Sequence, residues 1–270
     1  MSLVLPLMVK TMLLRASSCF WRYLMKNLLT YAAILFAGGL ATANMASAAV
    51  THVAIYRGGA GCPGCSEMVR KALEQSGLPL DIAYVGEQEK IKVTEDNLAS
   101  FDVYIQPGGG QDIPGAFAAL GDEGAEAIRK FVRNGKSFLG LCMGAYLADE
   151  NWLGLIPSSL DSEVMRKGTN IPDEGDYVVD VVWEGKTEKF YYQDGPYLNA
   201  EDAHGFVALA RYANGDIALA KYTYGKGTVL LSGPHPEADE SWMAPEKNNP
   251  AYTSAGSKMA RLFNDLKPGR

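Results

Sequence analysis

Ser137-Phe138-Leu139-Gly140-Leu141-Cys142-Met143-Gly144 reads as a short buried strand that turns at once into a helix. Its apolar run is too short for a globular helix and is closed by small residues, so the strand assignment follows. A reactive side chain between two near glycines, after a strand and before a helix, is the nucleophile-elbow pattern. The turn needs small neighbours because the backbone bends sharply there. It sets the Cys142 sulfur at a helix start, where the peptide dipoles favour a thiolate. A buried structural cysteine is the competing reading; the preceding strand and the flanking glycines weigh against it.

Working outward, the same alternation recurs. Val53–Tyr56, Leu80–Val85 and Val103–Ile105 are strand-like, and residues 65–76 place Met68, Val69, Ala72 and Leu73 at helical spacing. Asp122 is a candidate cap for a helix with Ala125, Ile128, Phe131 and Val132 on its apolar face and Gly135 at its end. Strands alternating with helices predict βαβ units and a parallel sheet. Beyond residue 176 the pattern changes to consecutive strands at Tyr177–Trp183, Lys189–Tyr192, Phe206–Tyr212, Ile217–Tyr222 and Thr228–Ser232. Asn214-Gly215 between two of them is a hairpin signal. A last helix is expected over residues 253–266. The expectation is one α/β domain over residues 49–270, with a mostly parallel sheet and added antiparallel strands in its second half.

Two further motifs follow predicted strands. His235-Pro236-Glu237 supplies a base and a group to orient it, two residues apart, so both side chains can point the same way in extended backbone. A solvated surface turn is the alternative. Of the three histidines, His52 opens the first strand, at the wrong end of a parallel sheet, and His204 lies in a polar loop. Gln106-Pro107-Gly108-Gly109-Gly110 exposes backbone N–H groups; Gly109 and Gly110, with the N–H of Met143, are the expected oxyanion hole. No Gly-Lys-Ser/Thr sequence follows, so a nucleotide loop is not expected. Catalytic Cys142, His235 and Glu237 would all fall at the carboxyl ends of strands, where open parallel sheets build their sites.

Cys62-Pro63-Gly64-Cys65 follows the first strand, on the edge that should also hold Cys142. A short-range disulfide is the simplest expectation and leaves Cys142 free; a redox-active pair and exchange with Cys142 stay open. A metal site is not expected, because zinc needs more ligands than this pair offers. No cofactor is implied.

Composition bounds the function classes. The chain has 270 residues, 47% hydrophobic and 21% charged, as a folded globular protein does. Its net charge of −6 and lack of a basic cluster argue against nucleic-acid binding. The first 48 residues hold Lys10, Arg15, Arg22 and Lys26 and no acidic residue. From Met25, a possible true start, a short basic segment leads to the apolar run Leu28–Ala41 and then Ala46-Ser47-Ala48. That order predicts a secretory signal peptide over residues 1–48, cut after Ala48. A membrane anchor is the alternative, although the run is shorter than the roughly 20 residues a span needs. The expected mature chain is acidic and periplasmic or secreted, without stable membrane insertion.

These residues resemble the class I glutamine amidotransferase superfamily. The Pro107-Gly-Gly-Gly turn, the Cys142 elbow and the His235-x-Glu237 pair occur in that family's order. Phe138–Ala148 and Gly225–Glu237 are more similar to one branch, the amidotransferase-like domain at the N-terminus of some biotin-protein ligases. Tyr192-Gln-Asp-Gly-Pro-Tyr197 resembles that branch's Gly-Gly-Pro segment, with Asp194 where a glycine is usual. The resemblance implies a flavodoxin-like three-layer fold and a Cys142–His235–Glu237 triad. It does not extend to biotin ligation, for which no ligase core remains. The resulting expectation is an exported cysteine hydrolase of C–N amide bonds acting on a small-molecule or peptide amide. The alternative is a non-catalytic module that binds such an amide. The sequence indicates no protein partner.

Overall fold

The computed structural model describes residues 49–199, 204–243 and 249–266. The expected signal segment lies outside these residues. Ala49–Arg270 forms one compact unit.

Its centre is a nine-stranded sheet in the order β2-β1-β3-β4-β11-β10-β9-β6-β7. The parallel half consists of β1 (Thr51–Tyr56), β2 (Leu80–Val85), β3 (Val103–Gln106), β4 (Ser137–Leu141) and β11 (Gly227–Ser232). The antiparallel half adds β10 (Ile217–Tyr224), β9 (Val207–Tyr212), β6 (Tyr177–Trp183) and β7 (Lys186–Tyr192). A separate two-stranded sheet joins β5 (Asp161–Ser162) to β8 (Pro196–Tyr197).

The period of two along each strand sorts side chains into two cores. Ala54, Tyr56, Tyr104, Phe138 and Leu231 face the helix α3 (Ile113–Arg133), through its Ala116, Leu120, Ile128 and Val132. Val53, Ile55, Ile105, Leu139 and Leu230 face α1 (Cys65–Glu74) and α6 (Ala255–Asp265), through Val69, Leu73, Met259 and Leu262. Both faces of the parallel strands are therefore covered, which is why those strands carry near-continuous apolar runs. The α/β fold with a mostly parallel and then antiparallel sheet agrees with the sequence expectation.

One helix starts earlier than its spacing suggests. Asp112 caps α3, its side chain accepting from Gly115 N at 2.9 Å. The helix is interrupted at Gly121 (φ 67°, ψ 167°), next to the predicted cap Asp122. The apolar face after Gly121 follows the expected spacing. The turn before it is masked in the sequence by Pro114 and Gly115, since Pro is tolerated in a first helical turn. The short helices α2 (Glu95–Leu98), α4 (Met143–Tyr146) and α5 (Glu240–Met243) complete the fold.

Register decides where the motifs meet. Gln106 pairs with Gly140 across β3 and β4, and Leu141 pairs with Ser232 across β4 and β11. The glycine turn, the Cys142 turn and the His235 turn thus leave one edge of the sheet side by side. The Cys62–Cys65 loop follows β1, which is parallel to β3, and emerges at the same edge.

Candidate active site

Cys142 caps α4 with φ 52° and ψ −111°. A non-glycine residue with positive φ is strained by about 1–3 kcal/mol and persists only where its surroundings enforce it. Here glycines do so. A Cβ on Gly144 would lie 2.1 Å from Gln106 O, and one on Gly140 would lie 2.5 Å from Gly144 O. Strand β3, strand β4 and α4 meet too closely for any side chain. The Cys142 amide donates to Ser232 O at 2.8 Å, which ties the turn to β11.

His235 and Glu237 stand beside it. His235 Nδ1 lies 2.8 Å from Glu237 Oε1, and the two residues are 4% and 0% exposed. The imidazole and the Cys142 side chain border the same spot, since a Cβ on Gly108 would stand 2.7 Å from His235 Cε1 and 3.8 Å from Cys142 Cβ. Burial alone would lower the His235 pKa, but the neighbouring Cys142 and Glu237 side chains outweigh it and push the group up to about 10. The ring is held in place from several sides. Its backbone N–H donates to Tyr191 O at 2.8 Å, and Tyr191 and Trp242 flank it edge-on at 5.4 and 5.6 Å between centroids. A Cβ on Gly108 would fall 2.7 Å from His235 Cε1, so the glycine turn closes the remaining side.

Gly109, Gly110, Cys142 and Met143 line one cleft of about 370 Å³. Its far wall is formed by Gln111, Tyr146, Glu174, Gln193 and Asp194. Cys142 itself is 5% exposed, and its thiol donates to Gln193 O at 3.3 Å. Asp194 has φ 47°, the left-handed conformation that glycine adopts freely and that Asp tolerates better than most residues. The loop thereby keeps a glycine-like shape, and the extra carboxylate is used. Asp194 accepts from Ser162 Oγ at 2.7 Å and from Gln111 Nε2 at 3.0 Å. Gln111 also donates to Glu174 at 2.6 Å.

The other predicted residues separate as follows. Cys62 and Cys65 form a disulfide pair with Cα atoms 5.4 Å apart, and Cys142 is a free cysteine. His52 bonds Asp81 at the opposite end of β1, and His204 is exposed. Among the described residues no group of three or more His, Cys, Asp or Glu is arranged to hold a metal, and no helix is long and apolar enough to cross a membrane.

Sequence reasoning missed the wall residues Gln111, Tyr146 and Glu174: Gln111 and Glu174 stand outside the quoted motifs, and Tyr146, although within Phe138–Ala148, carries no signal of its own. It also missed Lys258, a fully buried lysine of α6 whose Nζ donates to Lys189 O at 2.6 Å. Burial lowers the Lys258 pKa to about 8, against the opposing pull of Glu188 and Glu237. Its place on an otherwise apolar helix face was the available signal.

The family model described as biotin-protein ligase, N terminal, matches residues 51–152. No curated protein matches the chain. Among solved structures, PurLQS from Thermotoga maritima aligns with a TM-score of 0.57 at 19% identity, covering 80% of this chain and 99% of that one. A cytoplasmic protein of Salmonella typhimurium LT2 aligns with a TM-score of 0.48 at 15% identity, covering 80% of this chain and 99% of its own. The exo-beta-1,4-mannosidase Op5Man5 from Opitutaceae bacterium strain TAV5 gives 0.49 at 11%, with 81% of this chain and 36% of that one covered. Over residues 51–152 the chain is thus similar to the biotin-protein ligase N-terminal family, and its α/β unit has a glutamine amidotransferase-like fold.

Proposed function

We propose that the protein is a cysteine-dependent hydrolase of C–N amide bonds. The observation that carries this is the strained Cys142 turn, set against a buried His235 whose Nδ1 is held by Glu237. Cys142 Sγ attacks the amide carbonyl, and the N–H groups of Gly109, Gly110 and Met143 stabilise the developing oxyanion. As the C–N bond breaks, His235 gives its proton to the leaving nitrogen. Water then attacks the thioester with His235 as base, releasing the acid and restoring the thiol. Glu237 keeps the imidazole oriented throughout. Among the described residues, Glu174 and Asp194 are the charged side chains lining the cleft and no Lys or Arg joins them, which favours a neutral or cationic amide over an anionic one.

A binding module without turnover is the second reading, favoured by the burial of Cys142 and its bond to Gln193 O. Turnover of an amide-substrate library by wild type, Cys142→Ala, His235→Ala and Glu237→Gln separates the two. The hydrolase reading expects no turnover from Cys142→Ala. It expects a loss of about 10³-fold or more in His235→Ala and a smaller loss in Glu237→Gln. Full activity in His235→Ala excludes the triad. Ligand binding by wild type without any turnover selects the module.

Export belongs to the same proposal. The basic–apolar–small order of residues 1–48 and a disulfide pair in the folded unit support a periplasmic or secreted protein. Fractionation with N-terminal sequencing should find Ala49 at the mature terminus; an uncut, membrane-retained chain contradicts it.

A further inference from the structure

The geometry assigns a second reactive centre to this chain: the Cys62–Cys65 disulfide is a thiol–disulfide exchange site, with Cys62 as the attacked sulfur and a protein or peptide dithiol as its client. It is independent of the hydrolase reading.

Four observations carry it. First, the two cysteines are unequal. Cys62 is half-buried, whereas Cys65 is 1% exposed and begins the ten-residue α1. An exchange site needs one sulfur within reach of a client and one held back to resolve the mixed disulfide. Second, the inner sulfur lies at a helix N-terminus, where unpaired backbone N–H groups stabilise a leaving thiolate. Third, Cys62 opens onto a cleft of about 360 Å³, separate from that of Cys142, with Pro63 and Gly64 exposed on its rim. Arg57 pairs there with both Glu67 at 3.1 Å and Glu89 at 2.7 Å, so the cleft's charged side chains are held in ion pairs and leave one net negative charge.

Fourth, the loop does not depend on the S–S bond for its shape. Cys62 N–H donates to Gly108 O at 3.0 Å, Cys65 N–H to Cys62 O at 3.2 Å, and Ser66 Oγ to Tyr56 O at 2.8 Å. A disulfide that spans two residues also removes little chain entropy. The bond is thus poorly suited to a structural task and well placed for a chemical one.

The chemistry balances as follows. A client thiolate attacks Cys62 Sγ, the bond to Cys65 breaks, and Cys65 leaves as a thiolate that takes up a proton. The second client thiol, losing its proton, attacks the client sulfur of the mixed disulfide and releases Cys62. The client gains a disulfide, and its two electrons reduce the Cys62–Cys65 pair.

Reduced glutathione and glutathione disulfide are the probes, with peptides mapped individually so that Cys19 and Cys142 do not interfere. In a graded series of glutathione buffers the wild-type pair should pass from oxidised to reduced. With glutathione disulfide, the reduced Cys65→Ser protein should capture glutathione on Cys62 about tenfold or more faster than reduced Cys62→Ser captures it on Cys65. A pair that stays oxidised throughout the series, or equal capture by the two variants, overturns the assignment. The wild-type series decides the question if either variant fails to fold.

Discussion

Two turns leave the same edge of the sheet, each with a cysteine at the head of a helix, and they are built in opposite ways. At Cys142 the glycines are packed against backbone, a Cβ at Gly144 falling 2.1 Å from Gln106 O. At Cys62–Cys65 the turn glycine, Gly64, has φ 83° and nothing within 4 Å of where a Cβ would stand. The first turn is fixed by close approach from three elements and forces a strained, free cysteine into one position. The second is fixed by hydrogen bonds, within the loop and to Gly108 and Tyr56, and leaves its outer cysteine half-buried. A site that must aim one sulfur at one carbonyl needs the first construction. A site that must admit varied thiols is served by the second.

The largest expected effect breaks the first turn. Gly144→Ala should destabilise the fold by about 3 kcal/mol, because two backbone segments must move apart to admit one methyl group. Denaturant titration with unchanged slope checks it. A loss below about 1 kcal/mol would mean that the turn is not set by this contact.

Glu237 and Glu163 are both fully buried, and Oε2 of each lacks a partner. Glu237 has the His235 imidazole beside it, whereas Glu163 has Asn214 at 2.7 Å and the Asp216 carboxylate nearby. Burial, and then Asp216, raise the Glu163 pKa from 4.5 to about 7. The folded state therefore holds a proton that the unfolded chain releases between these values, so stability should fall as pH rises through that window. The difference is at most about 3 kcal/mol by linkage, and Glu163→Gln should flatten the slope. Urea midpoints at pH 4.5 and 7.5 measure it; an unchanged slope in Glu163→Gln contradicts the assignment.

The smallest effect lies in the second turn. Gly64→Ala meets no atom but must hold a left-handed φ, which costs about 1–2 kcal/mol, partly offset by a stiffer unfolded chain. A net loss of about 1 kcal/mol is expected. A loss equal to that of Gly144→Ala would erase the contrast between the turns.

Much of this was legible in the sequence, because each motif abuts a strand whose apolar run is unmistakable. Leu141 before Cys142, Ser232 before His235 and Gln106 before the glycine turn each end a strand. The rule that parallel sheets build sites at carboxyl ends then brings them together. The cleft's far wall was not legible. Gln111, Glu174 and Asp194 converge through side-chain bonds across 63 and 83 residues, and no local period records such a meeting. Asp194 alone left a trace, as a departure from the glycine expected there. The two-stranded sheet of β5 and β8 was equally hidden, since two-residue strands have no periodicity to show.

Covalent capture decides whether Cys142 is a nucleophile activated by His235. A cysteine-directed glutamine analogue should form one adduct with the folded protein, mapped to Cys142 by peptide mass spectrometry, and His235→Ala should form it far more slowly. No adduct on Cys142 in folded wild type, or equal rates with and without the imidazole, would contradict the account.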